Sequence, residues 1–433
     1  MNKKLVYTGL ALGAFVGLVG CSKPVETQEL ELVTSTQEPT AVEFWHSMSG
    51  MLGETMTELV DNFNETVGKE KGITVEAVYQ GGYDDLKSKT IGAIKAGNNP
   101  SIVQGTVNSI MEFIQSGYVQ ELNDYIFNEE IGIKDFEDIY KVYRDENSCY
   151  NEDGTYYSLP FSKSTDLLFY NKTFFEENGL TPPTTWEEAT EVSKQIFELT
   201  GKPGLSIDNT PNYLITYLYQ AGAGYTNTKG DILFNNETSL EALNLIQENT
   251  KNGYWRLAGE DKYSSAPFLS ENVYMYIGSS AGEGYLNSDN FEWAATTIPQ
   301  VNIDAPKYIQ QGNNVAILNQ NKTPEEVYAS FEFIKYLCSY EANLAWVMNT
   351  GYLPLRESVA TSDEYQSFIN NTNSTAKIAG ITSAENGFVE PMFSTDSINS
   401  NIVRNEIGIM IDNIVLTGAD VQESLDAYEN KLK

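Results

Sequence analysis

The sequence predicts an α/β fold, a parallel sheet with helices on both faces, and three observations predict it. Residues 41–114 alternate between short β-rich runs and segments whose apolar residues recur at helical spacing. The order strand, helix, strand, helix, strand is that of a parallel sheet rather than a meander. Glycines punctuate the strand ends at Gly81, Gly82 and Gly105. Taken in order, AVEFW (41–45) is the first strand, and Met56, Leu59, Val60, Phe63 and Val67 mark one face of the next helix. ITVEAVYQ (73–80) alternates like a strand and stops at Gly81-Gly82. Residues 83–95 carry Leu86, Ile91 and Ile94 on one side and close at AGN (96–98). SIVQ (101–104) is the third strand, and Ile110, Phe113 and Ile114 mark another helix. Ligands of such sheets collect at the carboxyl ends of strands, where Ser47, Gly81 and Gly105 fall.

Further along, NEDG (151–154) is a turn signal between aromatic-rich arms and predicts a hairpin. LPFSKST (159–165) and an alternating LLFY (167–170) follow, and Thr185 is placed to cap a helix that opens at Trp186. No repeat with a period of about 20–50 residues is found.

The first 21 residues, MNKKLVYTGLALGAFVGLVGC, join Lys3 and Lys4 to an apolar run too short to span a bilayer. They read as a signal peptide (1–20) removed on export. LVGC resembles the lipobox of bacterial lipoproteins, which makes Cys21 the expected lipidated residue and the outer face of the cell membrane the expected location. Residues 22–40 contain no aromatic residue and are rich in Thr, Glu and Pro, a composition suited to a flexible tether. No later apolar run approaches the length of a membrane span.

Roughly 410 residues remain, enough for two or three domains. A net charge of −33 excludes a nucleic-acid backbone as partner, because the long-range field repels phosphate. It permits one small anion held by a local cluster. Beyond Cys21 only Cys149 and Cys338 are left, with one conceivable pairing, and Cys338 sits on the apolar helix FEFIKYLCSY. Neither a disulfide scaffold, a metal site nor a cofactor motif is encoded. GSSAG (278–282) matches the G-x-S-x-G elbow of hydrolases. That chemistry needs a histidine downstream of the serine, and the single histidine, His46, lies far upstream, so no enzyme is expected. DENSCYNEDGTY (145–156) lacks the glycine and final glutamate of a calcium loop.

From about residue 41 to 433 the features together resemble the extracellular solute-binding proteins (family 1) of ABC importers. The carrying segments are FWHSMSGMLGETMTELVDNFN (44–64), the Gly81-Gly82-Tyr83 turn and LPFSKSTDLLFYNKTFFEENGLTPPTTWEEA (159–189). GSSAG, NTGYLPLRESV (349–359) and a last helical segment bearing Arg404 complete them. The resemblance implies a two-lobed fold with a multi-strand hinge crossed near 160–166, 304–312 and 352–358. Lobe 1 would be 41–162 plus 310–352, and lobe 2 would be 163–309 plus 353–433. It implies a small polar solute and a permease as partners, and a monomer.

Within the family the likeness is strongest to its phosphoglycerol-binding members, which open with WHSM, then G-x-x-x-x-x-L and F-N. Their ligand-contacting positions fall on Tyr83, Ser164, Ser279, Gly312, Tyr352 and Arg404. Where those members carry a glutamate for glycerol hydroxyls, this chain has Val107, and their tryptophan pair has no counterpart in IDNTPNY (207–213). Arg404, one of four arginines beside 23 lysines, would clamp phosphate with its planar fork. The other reading of Arg404 is an ion pair with Glu406 or another acid. Ser164 and Ser279 would donate hydroxyls, Gly312 would bring its backbone N–H close, and Tyr83 and Tyr352 would wall the cleft. The expected solute is sn-glycerol-3-phosphate or a glycerophosphodiester. A sugar or oligosaccharide is the alternative, and a surface adhesin the more distant one.

Overall fold

A computed structural model describes residues 30–372, 374–395 and 397–433. Cys21 and the signal segment lie outside these residues, as does the first part of the tether.

Among the described residues ten strands form one sheet: β1 (Thr40–His46), β2 (Ile73–Tyr79), β3 (Ile102–Gly105), β4 (Leu159–Asn171), β5 (Leu205–Ile207), β6 (Trp255–Leu257), β7 (Met275–Ser279), β8 (Trp293–Thr297), β9 (Tyr308–Ile317) and β10 (Gly387–Phe388). Their order is β2-β1-β3-β9-β4-β7-β5-β6, with β10 on β9 and β8 on β4. β1 lies parallel to β2 and β3, and β5 parallel to β6 and β7. The expected parallel α/β arrangement is thus present twice, once per lobe. Between the halves run β4 and β9, antiparallel to each other and to β3, β7 and β8, while the short β10 lies parallel to β9.

These two long strands are the hinge. Leu159–Thr165 of β4 pairs with β9, and the rest of β4 passes between β7 and β8 in the second lobe. β9 starts against β10 and ends against β3. The resemblance places two crossings near 160–166 and 304–312, and β4 and β9 run through these parts of the chain. The third is later. Leu355, Val359, Tyr365 and Ile369 are buried in the core of the first lobe with Phe44, Phe161 and Trp346. The chain reaches the second lobe only after the helix Asp363–Thr372, in the helix Thr375–Glu385, whose Ala376 and Ala379 pack with Leu167 and Phe169. Lobe 1 thus extends well past residue 352, because four large apolar side chains in 353–369 have their partners there.

The local signals hold where chemistry is local. Thr185 accepts from the amide of Glu188 and caps the helix Trp186–Thr200. The hairpin at 151–157 does not form. Asp153 does turn the chain, accepting from the amide of Thr155 at 2.9 Å, but no strand precedes the turn and β4 takes its partners from β7, β8 and β9. Cys149 and Cys338 are free thiols; Cys338 is buried at the end of the helix Pro324–Leu337.

Two features lock the hinge strands together. Gly312 has φ +104°, and a Cβ there would lie 1.9 Å from the carbonyl oxygen of Ser162. Its missing side chain is therefore used for the contact between β9 and β4, a steric need separate from the ligand-facing role expected of it. On the same pair of strands, buried Lys163 meets Glu146, and Asn314 Nδ2 donates to Glu146 at 3.0 Å. Gly312→Ala adds both a backbone conformation unfavourable to L residues and a clash with backbone. It should lower stability by about 2 kcal/mol or more in thermal and denaturant unfolding.

Candidate ligand site on the hinge

In an antiparallel ladder directly opposed residues share a face, and alternate residues of one strand do too. Ser162 opposes Asn313, Ser164 opposes Gln311, and Asp166 opposes Ser279. These six polar residues therefore form one face of the hinge, at the place where a sheet face is usually apolar. Lys163 and Thr165 point the other way, to Glu146 and to the carbonyl of Ile309.

Tyr83 opens the helix Tyr83–Ala96 beyond the carboxyl end of β2, and its ring is half exposed. Its hydroxyl lies 3.3 Å from that of Tyr352. Tyr352 is buried, stacks on Trp346 with ring centroids 5.6 Å apart, and has the Ser162 hydroxyl beside its own. Burial, with Tyr83 next to it, pushes its phenol well above the ordinary value, so it stays protonated and can donate. Ser279 ends β7 and accepts from the amide of Ala281 at 3.3 Å.

Arg404 enters from the helix Ser400–Thr417. One terminal nitrogen lies 2.7 Å from each oxygen of Glu390, and the other meets Asn212 Oδ1. Tyr225 donates to Glu390 at 2.9 Å. Burial opposes the Arg404 charge, but Glu390, Tyr225 and Asp166 outweigh it and raise the pKa. Asn212 Nδ2 donates to Asp166 at 2.7 Å, and Gln311 donates to the other Asp166 oxygen. Tyr83, Tyr352, Ser164, Ser279 and Arg404 thus stand around one polar floor. The acid paired with Arg404 is Glu390; Glu406 pairs instead with Lys431.

The sequence reading missed Asp166, Asn212, Gln311, Tyr225 and Glu390. Asp166 could have been found two residues after Ser164 in an alternating strand. Asn212 lies in IDNTPNY, the segment marked only for lacking tryptophans. Glu390 carries no local signal, since only tertiary packing brings it to Arg404. Val107 begins the helix Val107–Ile114 and packs partly buried on the Ile110 and Phe113 cluster, offering no polar atom.

Other polar groups near the strand ends have defined partners. Ser47 donates through its amide to Gln104 Oε1 at 2.9 Å. Asp208, just beyond β5, accepts from the amide of Ser264 at 2.7 Å, and burial pushes its pKa up to about 6. In GSSAG the elbow position, Ser280, is buried and its oxygen accepts from the amide of Thr165 at 3.3 Å. His46 Nδ1 accepts from the amide of Met48 at 3.2 Å. Away from the floor, a cavity of about 700 Å³ opens between Ile91, Glu112 and Tyr118 of the first lobe and Asn399, Asn401 and Ile402 of the second.

A polar floor on crossing strands between two α/β lobes is the candidate ligand site of the molecule. The chain belongs to the bacterial extracellular solute-binding protein family, whose profile matches residues 58–373. Among curated relatives, the sn-glycerol-3-phosphate-binding periplasmic protein UgpB of Shigella dysenteriae is 24% identical over 380 residues, 84% of this chain and 82% of that one. UgpB of Escherichia coli K12 matches at the same identity and coverage. Among solved structures, UgpB of Mycobacterium tuberculosis in complex with glycerophosphocholine has a TM-score of 0.79 at 19% identity, covering 91% of this chain and 97% of that one. The cyclic alpha-maltosyl-1,6-maltose binding protein of Arthrobacter globiformis has a TM-score of 0.77 at 22% identity, covering 91% and 98%. These structures share the fold. Among the described residues no helix is long and apolar enough to cross a membrane.

Burial pushes the pKa of His46 from 6.5 down to about 4. A depressed value means the neutral ring supports the fold above pH 6.5, and that support is lost as the pH falls through about 4. Between pH 7 and pH 4 the wild type should lose up to about 3 kcal/mol more stability than His46→Gln, measured by denaturant unfolding at each pH.

Proposed function

We propose that this chain is the receptor of an ABC importer that captures a phosphoglycerol, sn-glycerol-3-phosphate or a glycerophosphodiester, on the hinge floor and delivers it to the permease. In this reading Cys21 carries the lipid that anchors a monomer to the outer face of the membrane. Capture is a population shift: the solute touches Tyr83 from one lobe and Arg404 from the other, and so favours the state in which they are close. The observation that carries the phosphate assignment is Arg404, a cation tied through Asn212 to Asp166 on this floor. Its fork suits two oxygens of one phosphate, and Tyr352 supplies a phenol that stays protonated. The curated relatives bind sn-glycerol-3-phosphate, and the glycerophosphocholine complex shares the fold.

One observation favours the second reading, a neutral sugar or oligosaccharide. Glu390 holds one arm of the Arg404 fork with both oxygens at 2.7 Å, and Asp166 lies beside it. An anion competes with Glu390, whereas sugar hydroxyls donate to carboxylates and the apolar faces of sugar rings stack on tyrosines. Several structural neighbours bind oligosaccharides.

Calorimetry with sn-glycerol-3-phosphate, glycerophosphocholine and maltotriose separates the two. On the phosphate reading Arg404→Ala weakens the phosphoglycerols by about 100-fold or more, the equivalent of one or two charge-assisted bonds. Unchanged affinity in Arg404→Ala, or tight maltotriose binding with none of either phosphoglycerol, removes that assignment.

A further inference from the structure

We infer that Asp166 and Asn212 are positioning residues that orient Arg404 through a one-way hydrogen-bond relay, coupling hinge strand β4 to the helix that carries Arg404. The relay has three links. Gln311 Nε2 donates to Asp166 Oδ1, Asn212 Nδ2 donates to Asp166 Oδ2 at 2.7 Å, and Arg404 donates to Asn212 Oδ1.

Its direction follows from chemistry alone. A carboxylate only accepts and a guanidinium only donates, so an amide between them has one permitted orientation. A flipped Asn212 would set its carbonyl against Asp166 and its NH₂ against Arg404. Water offers no escape, since Asn212 is 1% exposed and Asp166 5%. The backbone of Asn212 is fixed as well: its amide donates at 3.0 Å to Asn209, the cap of the helix Thr210–Gln220.

The charge of Asp166 is thus the source of the relay's polarity. It decides which end of Asn212 faces Arg404, and so where that side of the fork points. Glu390, backed by the Tyr225 hydroxyl, holds the other side. Asp208 faces the same region but is engaged with the Ser264 amide. An Arg404 held by Glu390 alone could pivot about that carboxylate. Held by Asn212 too, it is fixed relative to β4, the strand that also carries Ser164. The relay belongs to the hinge itself, and only its affinity arm rests on the solute reading given above.

The test is an exchange of the two residues. D166N removes the polarity source, and N212D sets two carboxylates against each other. In D166N/N212D the amide at 166 donates to the carboxylate at 212, which accepts from Arg404, while Gln311 keeps its acceptor at 166. The chain has four arginines, so guanidinium ¹⁵N NMR of the full protein resolves Arg404, with Arg404→Lys giving the assignment. Slow guanidinium rotation at Arg404 is expected in the wild type, averaged signals in each single variant, and slow rotation again in the exchange variant. Affinity for sn-glycerol-3-phosphate should follow, falling about tenfold or more in each single variant and recovering in the double. Unchanged Arg404 signals in D166N overturn the relay, as does an exchange variant that fails to fold or folds without recovering them. If the wild type binds no phosphoglycerol while the NMR pattern holds, the solute assignment fails and the relay stands.

Discussion

The antiparallel ladder between β4 and β9 is the constraint on which the rest of the molecule depends. Each strand belongs to both lobes, so hydrogen bonds that would ordinarily build a core here join two cores. The ladder is drawn tight where Gly312 passes Ser162, a place no side chain could occupy. Behind it, Lys163, Glu146, Asn147 and Asn314 form a buried network. Such an ion pair adds little net stability, yet breaking it by removing one partner is costly, so it specifies one arrangement of the two strands.

On the other face the same strands present Ser162, Ser164 and Asp166 opposite Asn313, Gln311 and Ser279. Polar rows on a crossing strand are expensive to bury unless they are paired, and here they are paired unevenly. The Asp166 side is saturated through Asn212, Gln311 and Arg404. On the Asn313 side, the Oδ1 atom is buried without a partner, while Tyr83 nearby is half exposed. Rigid donors thus stand at the second lobe, and at the first the half-exposed Tyr83 ring stands beside the buried, stacked Tyr352. That division suits capture, since one end of a solute can be held while the other wall closes on it.

The balance of charge on the floor decides what it can accept. One guanidinium stands against Glu390 and Asp166, so the local field is no more welcoming to an anion than the net charge of the whole chain. A phosphate would bind through geometry and direct bonds, with little long-range attraction. Hydroxyl groups meet no such opposition.

The sequence by itself determined the elements whose causes are local. The alternation of 41–114 specified strands and helices, Thr185 specified a helix start, and the GG turn put Tyr83 at the mouth of the cleft. Family-like motifs singled out Ser164, Ser279, Tyr352 and Arg404, which are far apart in the chain. Tertiary structure alone decided the partner of Arg404, the relay through Asn212, the use of Gly312 and the end of the first lobe. A turn such as NEDG looks the same whether or not its arms pair, and Glu390 looks like any surface acid. These outcomes depend on which groups remain to be satisfied once the sheet has closed, and that is a property of the packed molecule rather than of any stretch of residues.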